Sequence, residues 1–300
     1  MKVPPEAETV LLPDVPEQDE LVVRRNPIVR SLKSLLASTH TYLPDAVYDP
    51  LYNIAFRSYK ALLRLSYFRH VLYHSLFGSP AGLTKAKLVH RVMSSSLVGS
   101  SGLEATFDAA SEIIAHGIPG AFIECGVAQG GCSALMATVA KSDPMGRRMW
   151  LFDSFQGLPD PTENDYDSQK EITGHHIRPL VRGSCLGTKG QVESLLFSKF
   201  GLSRDSVCLV EGWFQDTLPI WKDRVGPIAL LRIDGDWYES TLCCLRNLYD
   251  QVSPGGWIII DDYGVCFGCQ KAVHEFLDSI GFSPKLISDG RGGVLFCKTQ

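Results

Sequence analysis

The sequence predicts an α/β fold built on a doubly wound sheet of mostly parallel strands, with a helical extension at the N-terminus. From about residue 117 onward, short and almost continuously apolar segments alternate with amphipathic helical patterns. This alternation is typical of strands that helices cover on both faces. The chain has 300 residues and is 45% hydrophobic, which is enough to bury a full core. We therefore expect one large domain with an added segment.

Seven strands are expected in the second part of the chain. Five of them, AFIEC, MWLFD, VCLVE, IALLRID and GWIIIDD, are each followed by a polar turn and a helical pattern. The last two, SPKLI and GGVLFCK, are joined by SDGRG. We expect this final pair to form a hairpin at the edge of the sheet.

The first part of the chain has a different character. Residues 1–25 contain four prolines and many acids without a clear period, which predicts a poorly ordered arm. Residues 26–95 are expected to form the helical extension, and residues 96–300 the α/β domain. Within the extension, the pattern from Leu51 to Phe77 predicts an amphipathic helix. Its apolar face should pack on the domain or form a homo-oligomer contact, with a membrane-surface helix as the alternative.

Composition excludes several classes of function. The net charge of -4 and the pI near 6.1 show no basic excess, so nucleic acid is not expected as a partner. No apolar stretch reaches the length of about 18 residues that a membrane span needs. Several of the nine cysteines lie within apolar segments and no secretory signal precedes them, which predicts reduced thiols and a cytoplasmic location. Cys266 and Cys269 have CxxC spacing, but no second pair completes a zinc site.

The predicted strands end in acidic residues. Because the carboxyl ends of parallel strands meet at one edge of a doubly wound sheet, ligands bind in the crevice beyond them. We therefore expect a ligand site where five strand ends meet, at Glu124, Asp153, Glu211, Asp234 and Asp261.

The segment FIECGVAQGGCS joins the first predicted strand to a helix. Gly126, Gly130 and Gly131 would allow a ligand to approach the backbone and the helix N-terminus. The spacing is not the dinucleotide pattern G-x-G-x-x-G, and Glu124 would repel a pyrophosphate, so a cationic or hydroxyl-rich ligand fits better. Asp153 ends the next strand, where an acid can accept hydrogen bonds from ribose hydroxyls, with an N-cap or Asx turn as the alternative.

Five motifs in order resemble one enzyme family. IECGVAQGG, FDSFQGLP, GWFQDTLP, LRIDGDWYEST and SPGGWIIIDDYG are similar to those of the macrocin O-methyltransferase (TylF-type) family of class I S-adenosylmethionine-dependent methyltransferases. The resemblance spans about Ser96 to the C-terminus. It implies a Rossmann-like seven-stranded sheet, S-adenosylmethionine as cofactor, a divalent cation that is usually Mg²⁺, and a small hydroxylated acceptor, commonly a sugar moiety of a secondary metabolite.

The resemblance also assigns the acids that end the fourth and fifth strands. It implies Asp234, Asp261 and Asp262 as metal ligands, with Asp234 as the catalytic base. Carboxylate oxygens suit Mg²⁺, and two consecutive acids after an apolar strand are costly to bury unless a cation compensates them. Asp236 is expected instead to start the following helix as its N-cap.

For the cofactor, the resemblance implies contacts from several strand ends and from the loops that follow them. Glu124 and the turn from Gly126 to Gly130 would hold the methionine end, and Asp153 the ribose. Trp213 falls where the adenine is expected, although aromatic residues more often fill a core. The full predicted cofactor-binding set is Ser96, Leu97, Glu124, Cys125, Gly126, Val127, Gly130, Ser133, Asp153, Ser154, Gly212, Trp213, Asp216 and Asp234.

A long polar loop lies between Pro159 and Lys189, and its length favours a lid or a substrate-binding role. His175 and His176 could contact the substrate or act as an alternative base, although paired loop histidines are more often inert. Three other functions stay open at this stage. They are methylation of a catechol or other vicinal diol, a nucleotide-dependent oxidoreductase on the same scaffold, and a non-catalytic binding protein, which the intact set of three aspartates disfavours.

Overall fold

The structure is a computed structural model that describes residues 45–166 and 179–299. Side chains are described at residue 58 and from residue 60 onward within those ranges. The predicted arm at residues 1–25, the start of the helical extension, and the pair His175 and His176 lie outside the described residues.

The described residues contain a seven-stranded mixed sheet with the order β3-β2-β1-β4-β5-β7-β6. The first five strands pair in parallel, whereas β7 pairs antiparallel with both β5 and β6. This confirms the predicted fold class and the hairpin at the edge. The strands are β1 (Ala121–Cys125), β2 (Met149–Asp153), β3 (Val207–Glu211), β4 (Ile228–Ile233), β5 (Val252–Ile260), β6 (Ile287–Ser288) and β7 (Val294–Cys297).

Helices cover both faces of the sheet. Because strand side chains alternate between faces, Phe122 of β1 packs into one core and Ile123 packs into the other. The helices are α1 (Asp45–Leu76), α2 (Pro80–Val92), α3 (Ser100–Ala115), α4 (Gly131–Ala140), α5 (Lys189–Glu193), α6 (Phe214–Val225), α7 (Tyr238–Leu248) and α8 (Phe267–Ser279). The first core takes α2 to α5, and the second takes α6 to α8.

Helix α1 belongs to the predicted extension. It packs on the rest of the molecule through Tyr67, whose hydroxyl donates to Glu104 Oε1 of α3 at 2.5 Å, and through buried Val71. Its other face exposes large apolar side chains, among them Leu65 and Leu76. Within the described ranges, no helix is long and apolar enough to cross a membrane.

The strand register brings the predicted acids together. Glu124 lies opposite Arg232, and Ile233 lies opposite Ile260. The ladder continues one residue past the strands, since Asp234 N–H donates to Cys125 O at 2.8 Å and Asp261 N–H donates to Ile233 O at 3.0 Å. The residues that end β1, β4 and β5 therefore lie side by side at one edge of the sheet.

Candidate active site

A cavity of 490 Å³ lies beyond the carboxyl ends of the strands, where the sequence predicts the site. Eight of the predicted site residues lie on its wall: Leu97, Gly126, Asp153, Ser154, Trp213, Asp234, Asp261 and Asp262. Eight others are not among its lining residues: Ser96, Glu124, Cys125, Val127, Gly130, Ser133, Gly212 and Asp216. The carboxylate of Glu124, for example, is 1% exposed and accepts a hydrogen bond from Ser133 Oγ.

The side chain of Arg232 on β4 holds three of the acids. It is fully buried and points to the same face of the sheet as its cross-strand neighbour Glu124. Nη1 donates to Asp234 Oδ2 at 2.8 Å and to Glu124 Oε1 at 3.4 Å, while Nη2 donates to Asp261 Oδ1 at 2.5 Å. A planar guanidinium can contact several carboxylates at once in a fixed geometry. The acids at the ends of β1, β4 and β5 are therefore joined through one cation.

A second guanidinium, that of Arg291, comes from the loop between β6 and β7. Nη1 donates to Asp261 Oδ2 at 2.6 Å and Nη2 donates to Leu97 O at 3.4 Å. The loop is fixed by Asp289, whose Oδ1 accepts the backbone N–H groups of Arg291 and the two following residues at 2.7 to 3.0 Å. Arg291 thus connects Leu97, a predicted cofactor contact, with Asp261, a predicted metal ligand.

Acids outnumber bases at this edge of the sheet. The acid cluster consists of Glu124, Asp234, Asp236, Asp261 and Asp262, and its neighbouring cations are Arg232 and Arg291. Burial raises the pKa of Glu124 to about 7 and that of Asp236 to about 8. Burial, followed by neighbouring carboxylates, raises the pKa of Asp234 and strongly raises that of Asp262. Burial would also raise the pKa of Asp261, but the two guanidinium groups lower it overall.

The predicted metal ligands fit a divalent cation. One carboxylate oxygen each from Asp234, Asp261 and Asp262 lie within 4.8 Å of one another. All ligand atoms are oxygens, as Mg²⁺ prefers. Arginine contacts both oxygens of Asp261, yet a carboxylate oxygen has two lone pairs and can accept a hydrogen bond while binding a cation. The excess of buried negative charge is the condition that a cation would relieve.

The glycine-rich turn after β1 is closed by Asp153. Its Oδ2 accepts the N–H groups of Val127 at 2.6 Å and Ala128 at 3.1 Å, and its Oδ1 accepts that of Phe155 at 2.6 Å. The last contact is the Asx turn that the sequence allowed as an alternative. Asp153 also lies on the cavity wall, and its Oδ1, which accepts one N–H, keeps one lone pair for a ligand.

Gly126 is required where the turn approaches the next strand end. Its φ of 92° lies in the region that favours glycine. A Cβ at this position would stand 1.8 Å from Asp234 O, which no side chain could tolerate. The glycine therefore allows the turn that is predicted to hold the cofactor to lie in direct contact with the acid cluster.

The expected helix-capping role of Asp236 is wrong. The N-cap residue of α7 is Trp237, one position later, and the N–H of Tyr238 donates to Asp165 Oδ1 at 2.7 Å. An acid from the long loop therefore satisfies the first N–H of the helix. Asp236 has a left-handed φ of 57°, its N–H donates to Asp262 Oδ2 at 3.3 Å, and it lies on the cavity wall.

The CxxC cysteines do not form a disulfide. Cys266 and Cys269 are buried, and all nine cysteines of the chain are free. Burial raises the pKa of both thiols, so they remain protonated and unreactive.

Comparisons with known proteins agree with this geometry. A family model described as Macrocin-O-methyltransferase (TylF) matches residues 88–297. The chain belongs to this family.

Individual relatives give the same result. Demethyldecarbamoylnovobiocin O-methyltransferase of Streptomyces niveus is 35% identical over 205 residues, which are 68% of this chain and 76% of that enzyme. The 8-demethyl-8-(2,3-dimethoxy-alpha-L-rhamnosyl)-tetracenomycin-C 4'-O-methyltransferase of Streptomyces olivaceus is 34% identical over 198 residues, or 65% of this chain and 73% of that enzyme. The solved structure of the O-methyltransferase NovP is 34% identical, has a TM-score of 0.60, and covers 69% of this chain and 83% of its own.

Membership in the TylF family confirms the predicted enzyme class. The protein is an S-adenosylmethionine-dependent O-methyltransferase. This result excludes the two alternative functions, a nucleotide-dependent oxidoreductase and a non-catalytic binding protein.

Three residues at this TylF-family site were missed by the sequence interpretation. Arg232 had a visible signal, because a lone charge within the apolar segment LLRID needs a buried partner. Arg291 and Asp165 had none, since their partners are distant in sequence and belong to separate elements.

We expect Arg232→Met to destabilise this methyltransferase by about 3–5 kcal/mol, because it leaves the carboxylates of Glu124 and Asp234 without a cation and Asp261 with Arg291 alone. Burial already raises the pKa values of Glu124 and Asp234, and loss of the guanidinium removes a charge that lowers the pKa of all three acids. Because these acids then bind protons more readily in the folded than in the unfolded state, the loss of stability should be largest at about pH 8 and smaller at about pH 5, where the acids protonate. Denaturant unfolding at both pH values measures this. The exposed Arg246→Met on α7 is the matched control and should change stability by less than about 0.5 kcal/mol. Equal stability of Arg232→Met and wild type would contradict the role given to Arg232.

Proposed function

We propose that the protein methylates a hydroxyl of a small molecule, a sugar moiety of a secondary metabolite, at a Mg²⁺ ion bound by Asp234, Asp261 and Asp262. The observation that carries the proposal is the position of these three carboxylates on the same cavity wall as the turn at Gly126 and the acid Asp153. In this proposal, one cavity would bind both a nucleoside and a cation. One relative is named for a rhamnosyl compound, which supports a sugar acceptor.

In this proposal the cofactor lies along the turn after β1. Leu97, Gly126, Asp153, Ser154 and Trp213 would contact it directly, since they lie on the cavity wall. The other residues of the predicted set, including Glu124 and Ser133, would support those contacts from behind. The excess of negative charge suits a ligand that carries a positive sulfonium.

The acceptor hydroxyl must lose its proton as the methyl group arrives. A bound Mg²⁺ would lower the pKa of that hydroxyl, and Asp234 would accept the proton. Arg232 engages Asp234 Oδ2 at 2.8 Å, which fixes the carboxylate and leaves Oδ1 to receive the proton. The same arrangement would serve a catechol or another vicinal diol, so the metal site alone does not select the acceptor.

Ligand-dependent stability tests the two binding regions separately. S-adenosylhomocysteine should raise the melting temperature because it binds the native state, whereas NAD should not. Methyl transfer should stop in EDTA and return when Mg²⁺ is added. Stabilisation by NAD alone, or undiminished transfer in EDTA, would refute the proposal.

Asp234→Asn should lower kcat by at least about 100-fold, in the range expected for loss of a general base, while the affinity for S-adenosylhomocysteine should change by less than about threefold. Calorimetry and initial rates measure the two quantities. Transfer at the wild-type rate would remove Asp234 as the base.

Arg291→Gln should tighten the binding of Mn²⁺, used as a probe for Mg²⁺, by about fivefold or more, because it removes a positive charge that competes with the cation for Asp261. The exposed Arg182→Gln is the matched control. Arg182 also lies on the cavity wall but pairs with exposed Asp160 at 3.2 Å, so its loss should leave Mn²⁺ affinity nearly unchanged. Weaker Mn²⁺ binding by Arg291→Gln in calorimetry would contradict the competition.

A further inference from the structure

Helix α1 exposes a row of side chains at regular spacing. The outer row of α1 consists of Ser58, Leu62, Leu65, Arg69, Leu72 and Leu76. Its members alternate between steps of four and three residues, the 3.5-residue repeat of helices that pair along one seam. Its four leucines are 48% to 72% exposed. In the sequence the spacing continues back to Ala55 and Leu51, so the repeat occupies most of this 32-residue helix.

The methyltransferase domain lies against the opposite side of α1. Tyr67 and Val71 are buried on that side, and Lys60 Nζ donates to Ser94 O at 3.4 Å and to Gln129 Oε1 at 3.3 Å. Because successive residues are rotated by about 100° around a helix, the outer row lies roughly opposite these contacts. Its leucines therefore face away from the domain. The family match begins at residue 88, so α1 is additional to the part that the family model describes.

The exposed apolar surface is large for a single protein chain. Phe68 and Tyr73 border the outer row and are also exposed. Together with the four leucines they present on the order of 700 Å² of apolar surface, whereas soluble monomers rarely expose a patch larger than a few hundred Å². This area is close to the roughly 800 Å² that each partner buries in a standard protein interface. The size of the patch thus suits a protein partner.

The charges of α1 favour a second copy of the chain over a lipid surface. Anionic membranes attract helices that carry several basic residues beside their exposed apolar side chains. Here Lys60 contacts the domain and Arg64 is half-buried, which leaves Arg69 as the basic residue of the outer row. The positions that border the row are uncharged, and they include Ala61, Ser66, Phe68, Tyr73 and Ser75. Two rows can therefore meet without repulsion along their borders.

We propose that the outer rows of two copies of this chain pair as an antiparallel two-stranded coiled coil and make the enzyme a homodimer. Parallel pairing would place Arg69 against the partner's Arg69, and the repeat holds no acid that could separate the two charges. Antiparallel pairing over the whole repeat places Arg69 against the partner's Ser58 and Leu62 against the partner's Leu65. Polar then meets polar and apolar meets apolar. A single polar residue within such a seam fixes register at a cost in stability.

Sedimentation equilibrium of the full chain tests the pairing. Wild type should behave as a dimer, with twice the 33.1 kDa mass of the chain and a Kd of about 10 μM or lower. Leu65→Lys should raise that Kd by about 100-fold or more, because it places a second charge in the seam. Ile220→Lys on α6 is the matched control, since its side chain is 65% exposed against 68% for Leu65. It should change the Kd by less than about twofold. Both variants should bind S-adenosylhomocysteine as wild type does.

Two further variants test the register. Arg69→Leu should lower the Kd by about tenfold, because it removes the one charge from the seam. Ala61→Cys and Phe68→Cys should form a mixed disulfide when the two variants are combined and mildly oxidised, since these border positions meet in the antiparallel register. Neither variant should cross-link by itself. Wild type under the same oxidation controls for the nine native cysteines.

Four outcomes would overturn the inference and leave the proposed function intact. A wild type that stays monomeric at about 100 μM, or a Leu65→Lys variant that dimerises as wild type does, would refute pairing through the outer row. Dimers that give no mixed disulfide would refute the antiparallel register. A monomer that floats with phosphatidylserine and phosphatidylcholine vesicles, and loses this binding with Leu65→Lys, would assign the row to a lipid surface instead.

Discussion

The buried guanidinium of Arg232 is the contact on which the rest of the site depends. Its hydrogen bonds join Glu124, Asp234 and Asp261, which lie at the ends of three different strands. A buried ion cluster of this kind contributes little net stability when complete, but it is costly when one partner is removed. Its contribution here is therefore one of geometry. It sets the distances between acids that would otherwise repel one another.

The site carries more negative charge than its arginines neutralise. Burial, followed by neighbouring carboxylates, raises the pKa values of Asp234, Asp236 and Asp262, and all three acids lie on the cavity wall. A cation and a hydroxylated acceptor would supply the missing partners. The sheet positions the acids and the arginines orient them. The remaining negative charge favours ligands that are cations or hydrogen-bond donors.

Much of the fold could be predicted from sequence because strand and helix patterns are local. The seven strands, the edge hairpin and the convergence of Asp234, Asp261 and Asp262 follow from apolar periodicity and the geometry of parallel sheets. The error at Asp236 had a local cause. An aspartate ahead of a helix is the usual N-cap signal. Here, however, the first N–H of the helix donates to Asp165, which lies in a loop 73 residues away in sequence. The contacts of Arg291 likewise join segments that no local pattern connects.

In the proposed function, Asp234, Asp261 and Asp262 bind a divalent cation at the acceptor site of this methyltransferase. Crystals of the complex with S-adenosylhomocysteine and Mn²⁺ test it most directly, because manganese gives an anomalous signal that locates the ion. We predict one strong peak within about 2.0–2.3 Å of an oxygen from each of the three aspartates. A peak at another place, or no peak at a saturating Mn²⁺ concentration, would contradict the proposed metal site.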